Sequence, residues 1–242
     1  MAIASQQLYQ TLVEGTFDAL IVFSVITWLL IVIKAAQHLQ ISWQERKFRQ
    51  DFWKARDLTV AATLKLQGPT ARLAQVGFHS LQQAGKPQSD LEHSWDRQVL
   101  LERHLRQQIH KERRSLENGL AILASIGTTA PFVGLFGTVF GIIDALTAIT
   151  AQKSASIEVV AGPIGEALVA TGVGIAVAVP AVLAFNFFLR RLKLIQADLD
   201  DFATDFLNLL QKAGFRAPLI PEEQPQTNSA TPAAGTTQEA YS

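Results

Sequence analysis

The sequence predicts an all-α, polytopic membrane protein with three transmembrane helices and long helices that extend into a cytoplasmic helical domain. Three observations favour this class. The 242 residues are 48% hydrophobic and 17% charged, and the charges lie between the apolar stretches. No charged residue occurs between Glu117 and Asp144, a run of 26 residues, whereas about 20 suffice for a helix to cross a bilayer. The polar stretches carry apolar residues at helical spacing.

The composition excludes several kinds of site. The chain has no cysteine, which rules out disulfides, thiolate metal sites and cysteine catalysis. Its 21 basic residues are balanced by 21 acidic ones, so a nucleic-acid partner is not indicated. The five histidines lack metal-ligand spacing, and the sequence has no GxxxxGK[ST] phosphate loop. We therefore expect no enzyme activity, no cofactor and no metal.

The first transmembrane helix is predicted at residues 16–36, after a periplasmic N-terminal segment at residues 1–15. That segment has no Lys or Arg and so lacks the basic start of a signal peptide. The core of the helix, residues 19–33, consists of bulky side chains with almost no small ones. Such a surface suits lipid better than close helix packing, so we expect this helix on the outside of any assembly.

A polar helical domain is predicted at residues 37–117. Phe48 and Phe52 fall on one face of its first helix. A short helix at residues 71–84 is expected to stop at the glycine and proline that follow it.

The last helix of this domain is predicted to lead directly into the membrane. Ser89 or Asp90 can cap its start, and its apolar stripe runs from Leu91 to Leu120. Because no proline or glycine interrupts this stretch before Gly119, we expect one long helix that continues into the second transmembrane segment.

Two further transmembrane helices and a tail complete the chain. The second is predicted at residues 118–149, and a short periplasmic loop at residues 150–160 joins it to the third, at residues 161–189. Helical spacing continues beyond the third span, which predicts a cytoplasmic C-terminal helix at residues 190–216. Residues 217–242 are rich in Pro, Thr, Ala and Gln without periodicity, and we expect them to be disordered.

The basic residues predict the orientation of the chain. Residues 37–117 hold 14 of the 21 Lys and Arg, and the chain after Leu189 holds five more. Lys and Arg concentrate on the cytoplasmic side of membrane proteins. We therefore expect the helical domain and the C-terminus in the cytoplasm, and the N-terminus in the periplasm.

Three polar residues are expected at similar depth in the outer half of the second and third spans: Thr138, Glu166 and Thr171. A purely structural explanation remains open for each of these residues. Glu166 follows Pro163 by three residues and can be an acid favoured by the helix dipole. Either threonine can bond only to the backbone of its own helix.

Small residues and prolines in the same two spans predict close packing and kinks. Gly134 lies beside a face that carries Thr138, and Gly137 and Gly141 form a GxxxG pattern, which indicates close helix packing. Pro131 and Pro180 are expected to kink the two helices.

These two spans lack a deep proton carrier. A threonine hydroxyl can pass hydrogen bonds but cannot hold a net proton. We expect Glu166, near one end, to be the only ionisable group within or bordering the two spans. Either no proton path exists, or a second protein supplies an acid.

Two motifs resemble those of the MotA/TolQ/ExbB proton-channel family, and of its ExbB branch most closely. The first, from Ala130 to Ile142, reads APFVGLFGTVFGI, and the second, from Gly162 to Thr171, reads GPIGEALVAT. The stretch around Pro180 agrees as well. The resemblance is specific across the second and third spans, whereas the cytoplasmic domain and the tail carry little of it.

The resemblance implies a subunit of the bacterial inner-membrane TonB–ExbB–ExbD system. Such subunits form a homopentameric ring in which the second and third spans line a pore. ExbD places its transmembrane helices in that pore, and its aspartate is the missing proton carrier. Thr138, Glu166 and Thr171 are then polar pore groups near this aspartate. Proton flow drives TonB, which energises import of siderophore-bound iron and vitamin B12.

The motifs leave two other functions open. A TolQ-type subunit uses the same membrane machinery for the Tol–Pal envelope system, and the pore motifs do not separate it from an ExbB-type subunit. A purely structural scaffold that holds TonB without moving protons is the alternative from a different class.

Overall fold

The computed structural model describes residues 2–64, 67–84, 97–152 and 157–214, and within these ranges only helices and short turns occur. The helices are α1 (Ala2–Lys54), α2 (Leu58–Thr63), α3 (Pro69–Ala84), α4 (Arg97–Glu117), α5 (Leu120–Gln152) and α6 (Ile157–Lys212). Three of them, α1, α5 and α6, contain stretches long and apolar enough to cross a membrane. The predicted all-α fold with three spans is confirmed.

The three long helices form a bundle in which α5 and α6 pack along each other and α1 lies against both. Their shared core consists of Leu20, Ile126, Ala130, Val177, Ala178 and Ala181. The opposite face of α1 exposes a continuous set of large apolar side chains: Ile21, Val22, Val25, Trp28, Leu29, Val32 and Ile33. This exposed face is the one that we expect to contact lipid.

A second core, rich in phenylalanine, joins the far ends of α1 and α6 to α3 and α4. Phe206 is fully buried there and contacts the rings of Phe52, Phe78 and Phe202. Gly77 of α3 lies directly against the Phe206 ring, where a β-carbon would clash. Phe48 and Phe52 both enter this core from one face of α1, as their spacing predicts.

The predicted continuous helix through Gly119 is wrong. The chain turns at Asn118-Gly119, so α4 and α5 are separate helices. Gly119 has a φ of +84°, a left-handed conformation that glycine adopts without steric cost and that commonly ends helices. The last carbonyl groups of α4 therefore need partners other than a continuing helix.

The expected extension of the third membrane helix is found, because α6 continues unbroken to Lys212. It begins at Ile157, earlier than the Gly162-Pro163 start that the sequence indicated, and Pro163 and Pro180 lie within it. Several other expectations lie outside the described residues: the helix stop at Gly85-Lys86-Pro87, the cap at Ser89 or Asp90, the start of the stripe at Leu91, and the tail.

Candidate functional site

Glycines bring the backbones of α5 and α6 into direct contact. A β-carbon on Gly134 would lie 2.7 Å from the carbonyl oxygen of Ala170, and one on Gly174 would lie 2.7 Å from that of Ala130. A β-carbon on Gly141 would lie 2.6 Å from the β-carbon of Ala167. Any larger residue at these positions would push the two helices apart. The helices thus pack closely at Gly134 and Gly141, where we expected close packing.

Gly137 meets a different helix as well. A β-carbon there would lie 2.7 Å from the hydroxyl oxygen of Thr16 on α1 and 3.0 Å from the β-carbon of Ala170 on α6. All three membrane helices therefore converge at Gly137. Pro131 is accommodated within α5 one helical turn from the Gly134 contact.

The hydroxyl groups of Thr138 and Thr171 form a hydrogen bond across this contact. Thr138 Oγ1 also lies 3.1 Å from the carbonyl oxygen of Gly134 and 3.2 Å from that of Ala167. Thr171 Oγ1 lies 3.3 Å from the same Gly134 oxygen. We call these two residues the threonine pair.

The threonine pair has more acceptors than protons. Each hydroxyl has one proton to donate. The acceptors within reach of the pair are the carbonyl oxygens of Gly134 and Ala167 and the two hydroxyl oxygens themselves. The hydrogen bonds can therefore be redistributed without moving either side chain. The hydrogen bonds of the pair join two helices, in contrast to the alternative in which each threonine bonds only within its own helix.

Glu166 lies apart from the threonine pair. It is exposed and lines a cavity of about 410 Å³ at the outer end of the bundle, together with Glu14 of α1 and Asp144 of α5. Five residues along a helix differ in direction by roughly 140°. Glu166 and Thr171 therefore point to different sides of α6. We call this space the outer cavity.

Sequence reasoning missed Asp144 as a site residue. Its side chain is buried, with 8% of the residue exposed, so Glu166 is not the only ionisable group that borders the two spans. Asp144 follows Gly137 and Gly141 at helical spacing on the face of α5 that contacts its neighbours. Extending the glycine pattern by three residues would have found it.

The sequence reasoning also missed a buried polar face on α1. Thr16, Thr27, Lys34 and His38 all point into the bundle. Their spacings of 11, 7 and 4 residues are those of one helical face. The helical spacing of these polar residues is hard to recognise in the sequence because most of the residues between them are bulky and apolar.

The arrangement of α5 and α6 suits the relay of a proton rather than its storage. The threonine pair provides two hydroxyl groups at a helix contact whose other residues are small, mainly glycine and alanine. An ionisable group that takes up and releases the proton must come from beyond this pair.

Comparison with known proteins identifies this architecture. Residues 67–201, which include the threonine pair and Glu166, match the MotA/TolQ/ExbB proton channel family. The Biopolymer transport protein ExbB of Xanthomonas campestris pv. campestris is 38% identical over 194 residues, covering 77% of this chain and 76% of that protein. ExbB of Neisseria meningitidis is 37% identical over 195 residues, covering 79% and 88%.

A relative with a different name is similar over the same extent. The Tol-Pal system protein TolQ of Haemophilus influenzae is 31% identical over 201 residues, covering 81% of this chain and 87% of that protein. The matches extend over most of the chain and include both helices of the threonine pair. The protein is a membrane protein that belongs to the MotA/TolQ/ExbB proton channel family.

Proposed function

We propose that this chain is the ExbB-type subunit of an inner-membrane TonB–ExbB–ExbD motor. In this function, protons that flow down their gradient energise TonB-dependent import of siderophore-bound iron and vitamin B12 across the outer membrane. The observation that carries the proposal is the threonine pair, two hydroxyls bonded between glycine-packed membrane helices. The two relatives named ExbB support the ExbB type.

The proposal requires partners because the threonine pair holds no ionisable group. ExbD would supply a carboxylate beside the pair, and TonB would receive the mechanical work. Five copies of this chain would form a ring, with α5 and α6 around the ExbD helices. Thr138 and Thr171 would relay the proton, Glu166 would stand at the periplasmic mouth, and Pro131, Gly134, Gly137, Gly141 and Pro180 would shape the pore helices.

The orientation proposed from the basic residues is compatible with the fold. The N-terminus and the outer cavity would be periplasmic, and the Phe206 core would be cytoplasmic. Most of the Lys and Arg residues lie in or beside the helices of that core.

Growth under iron limitation tests the proposal. We expect the full chain, expressed with its own ExbD-type and TonB-type partners in a strain without ExbB, to restore growth on a siderophore. Replacing both members of the pair, Thr138→Val and Thr171→Val, should abolish this growth at normal protein levels. Thr128→Val is the matched control, because Thr128 is exposed and bonds only within α5. Undiminished growth of the double variant would favour a scaffold without proton conduction.

A TolQ-type function is the second candidate, because the relative from Haemophilus influenzae carries that name. The same chain can be expressed in a strain without TolQ and scored for resistance to detergents. Restored detergent resistance without restored siderophore growth would assign the chain to the Tol–Pal system.

A further inference from the structure

The outer cavity contains one carboxylate from each membrane helix. Glu14 comes from α1, Asp144 from α5 and Glu166 from α6. No Lys, Arg or His is among the described residues that line it. Asp18, one turn further along α1, is exposed and lies outside the lining. The acidic lining gives the cavity a negative field that attracts cations.

Asp144 differs from the other two acids because it is buried. Its Oδ1 atom has no hydrogen-bond partner among the described residues. The polar contact that the structure gives this residue is to its backbone, whose carbonyl oxygen accepts from the hydroxyl of Thr147 at 2.8 Å. An ionised carboxylate without hydrogen bonds is costly to bury, and a bound cation removes that cost.

The geometry favours a proton over a metal ion as this cation. Within the described part of the chain, no three acidic or histidine side chains lie close enough together to hold a metal. Oδ1 of Asp144 is also shielded from solvent, so a metal ion could reach this atom only after losing its hydration shell. A proton needs neither a set of ligands nor space beyond one O–H bond.

We propose that Asp144 is the outer proton acceptor of this chain, a role that rests on the proposed proton-conducting function. Glu14 and Glu166 at the mouth attract hydronium to the cavity. One O–H bond of hydronium breaks, an O–H bond forms on the Asp144 carboxylate, and a water molecule remains. The neutral acid later gives this proton to the carboxylate of the ExbD-type partner through water and the threonine pair.

The position of Asp144 suits this role. Asp144 lies six residues from Thr138 along α5, which is about 9 Å towards the outer end. Gly141 lies between them and borders the cavity. Asp144 therefore lies outward of the threonine pair along α5, and water must connect the two because six residues also separate them by roughly 120° around the helix.

Labelling with dicyclohexylcarbodiimide, which modifies protonated carboxyl groups in apolar surroundings, tests this proposal without measuring transport. The full chain is treated in membrane vesicles together with its partners, and adducts are located by mass spectrometry. We expect an adduct on Asp144 in treatments at several pH values. Exposed Asp18 should remain unmodified. Absence of an Asp144 adduct at every pH would overturn the proposal.

Two variants extend the test to function. Asp144→Asn should lose siderophore-dependent growth and shift the pH dependence of proton uptake, and Asp144→Glu should restore both in part. Asp18→Asn is the matched control and should keep both. Wild-type pH dependence in Asp144→Asn would refute the role of Asp144. If the unmodified chain fails to support growth, the proposed function is refuted instead. The labelling experiment does not depend on growth and still tests Asp144 in that case.

Discussion

The ammonium group of Lys34 donates a hydrogen bond to the backbone carbonyl of Leu116, 82 residues away, at 2.9 Å. Leu116 lies in the last turn of α4, beside the break at Gly119, so Lys34 provides one of the partners that the ended helix needs. The amide oxygen of Gln37 accepts a second hydrogen bond from the same ammonium group at 2.9 Å. Lys34 is 4% exposed. This contact holds the junction between α4 and α5 against α1.

Replacing Lys34 with Met should destabilise this junction. Removal of a buried hydrogen bond from a charged donor leaves a carbonyl unsatisfied, and we expect a loss of about 1–3 kcal/mol in the free energy of unfolding. The loss would be measured as a lower thermal midpoint of the detergent-extracted protein. Lys54→Met, at the exposed end of α1, should change the midpoint little. Equal midpoints for the two variants would show that the contact contributes no stability.

Replacing Gly174 with Ala should separate α5 and α6. The new β-carbon would meet the carbonyl oxygen of Ala130, and overpacking of this kind costs about 1–3 kcal/mol. Gly172→Ala is a matched control on the same helix, because no atom lies within 4 Å of a β-carbon there. Thermal unfolding should therefore distinguish two alanine substitutions only two residues apart. Similar midpoints would contradict the close backbone contact.

Replacing Glu112 with Gln should weaken the polar helical domain. The guanidinium group of Arg72 donates two hydrogen bonds to this buried carboxylate, at 2.7 and 2.6 Å, and joins α3 to α4. Its hydrogen bond to Glu112 raises the pKa of Arg72, so the guanidinium stays charged. The amide of glutamine has one oxygen where the carboxylate has two, so one guanidinium N–H would lose its acceptor, and we expect a loss of about 1–3 kcal/mol.

The control for this prediction lies on the same helix. Glu102 pairs with Arg106 at 2.6 Å on the surface of α4, and exposed pairs contribute about 0–1 kcal/mol. Urea unfolding of Glu102→Gln should therefore resemble that of the unmodified protein. If the two glutamine variants unfold at the same urea concentration, the buried pair does not stabilise the domain.

The chain alone should conduct protons poorly in liposomes. The threonine pair cannot hold a net proton, and Asp144 lies towards one end of the path. Proton entry would be followed with a pH-sensitive dye trapped inside the vesicles. Co-reconstitution with the ExbD-type partner should raise the rate, whereas a partner whose membrane aspartate is replaced by asparagine should not. Fast conduction by the isolated chain would show that it carries a complete path.

Local patterns in the sequence predicted much of the fold and part of the candidate site. The three apolar runs predicted the membrane helices, and the spacing of Phe48 and Phe52 predicted their shared burial. The sequence placed Thr138 and Thr171 at a similar level on neighbouring helices, and the structure shows their hydroxyls bonded. These features depend on neighbours in sequence or on the regular rise of a helix.

Other features depend on contacts between distant segments, and single-sequence patterns do not encode them. Beside the helix break at Gly119, the carbonyl oxygen of Leu116 accepts a hydrogen bond from Lys34 of α1, which is 82 residues away in the sequence. Asp144 could be read as the simple end of an apolar run, because its burial comes from packing against its neighbours. The direction of Glu166 around α6 separates it from the threonine pair, and a depth estimate does not contain this direction.

The continuity of α6 connects the threonine pair with the phenylalanine core through one helix. Thr171 and Phe206 belong to the same unbroken helix, and the 35 residues between them correspond to about 52 Å. The first residue contacts α5 within the membrane segment, and the second is held in the phenylalanine core. A tilt of about 5° at Thr171 would displace the other end by roughly 4–5 Å over this length. If α6 moves as one body through Pro180, a small rearrangement beside the threonine pair would be enlarged at the opposite end of the molecule.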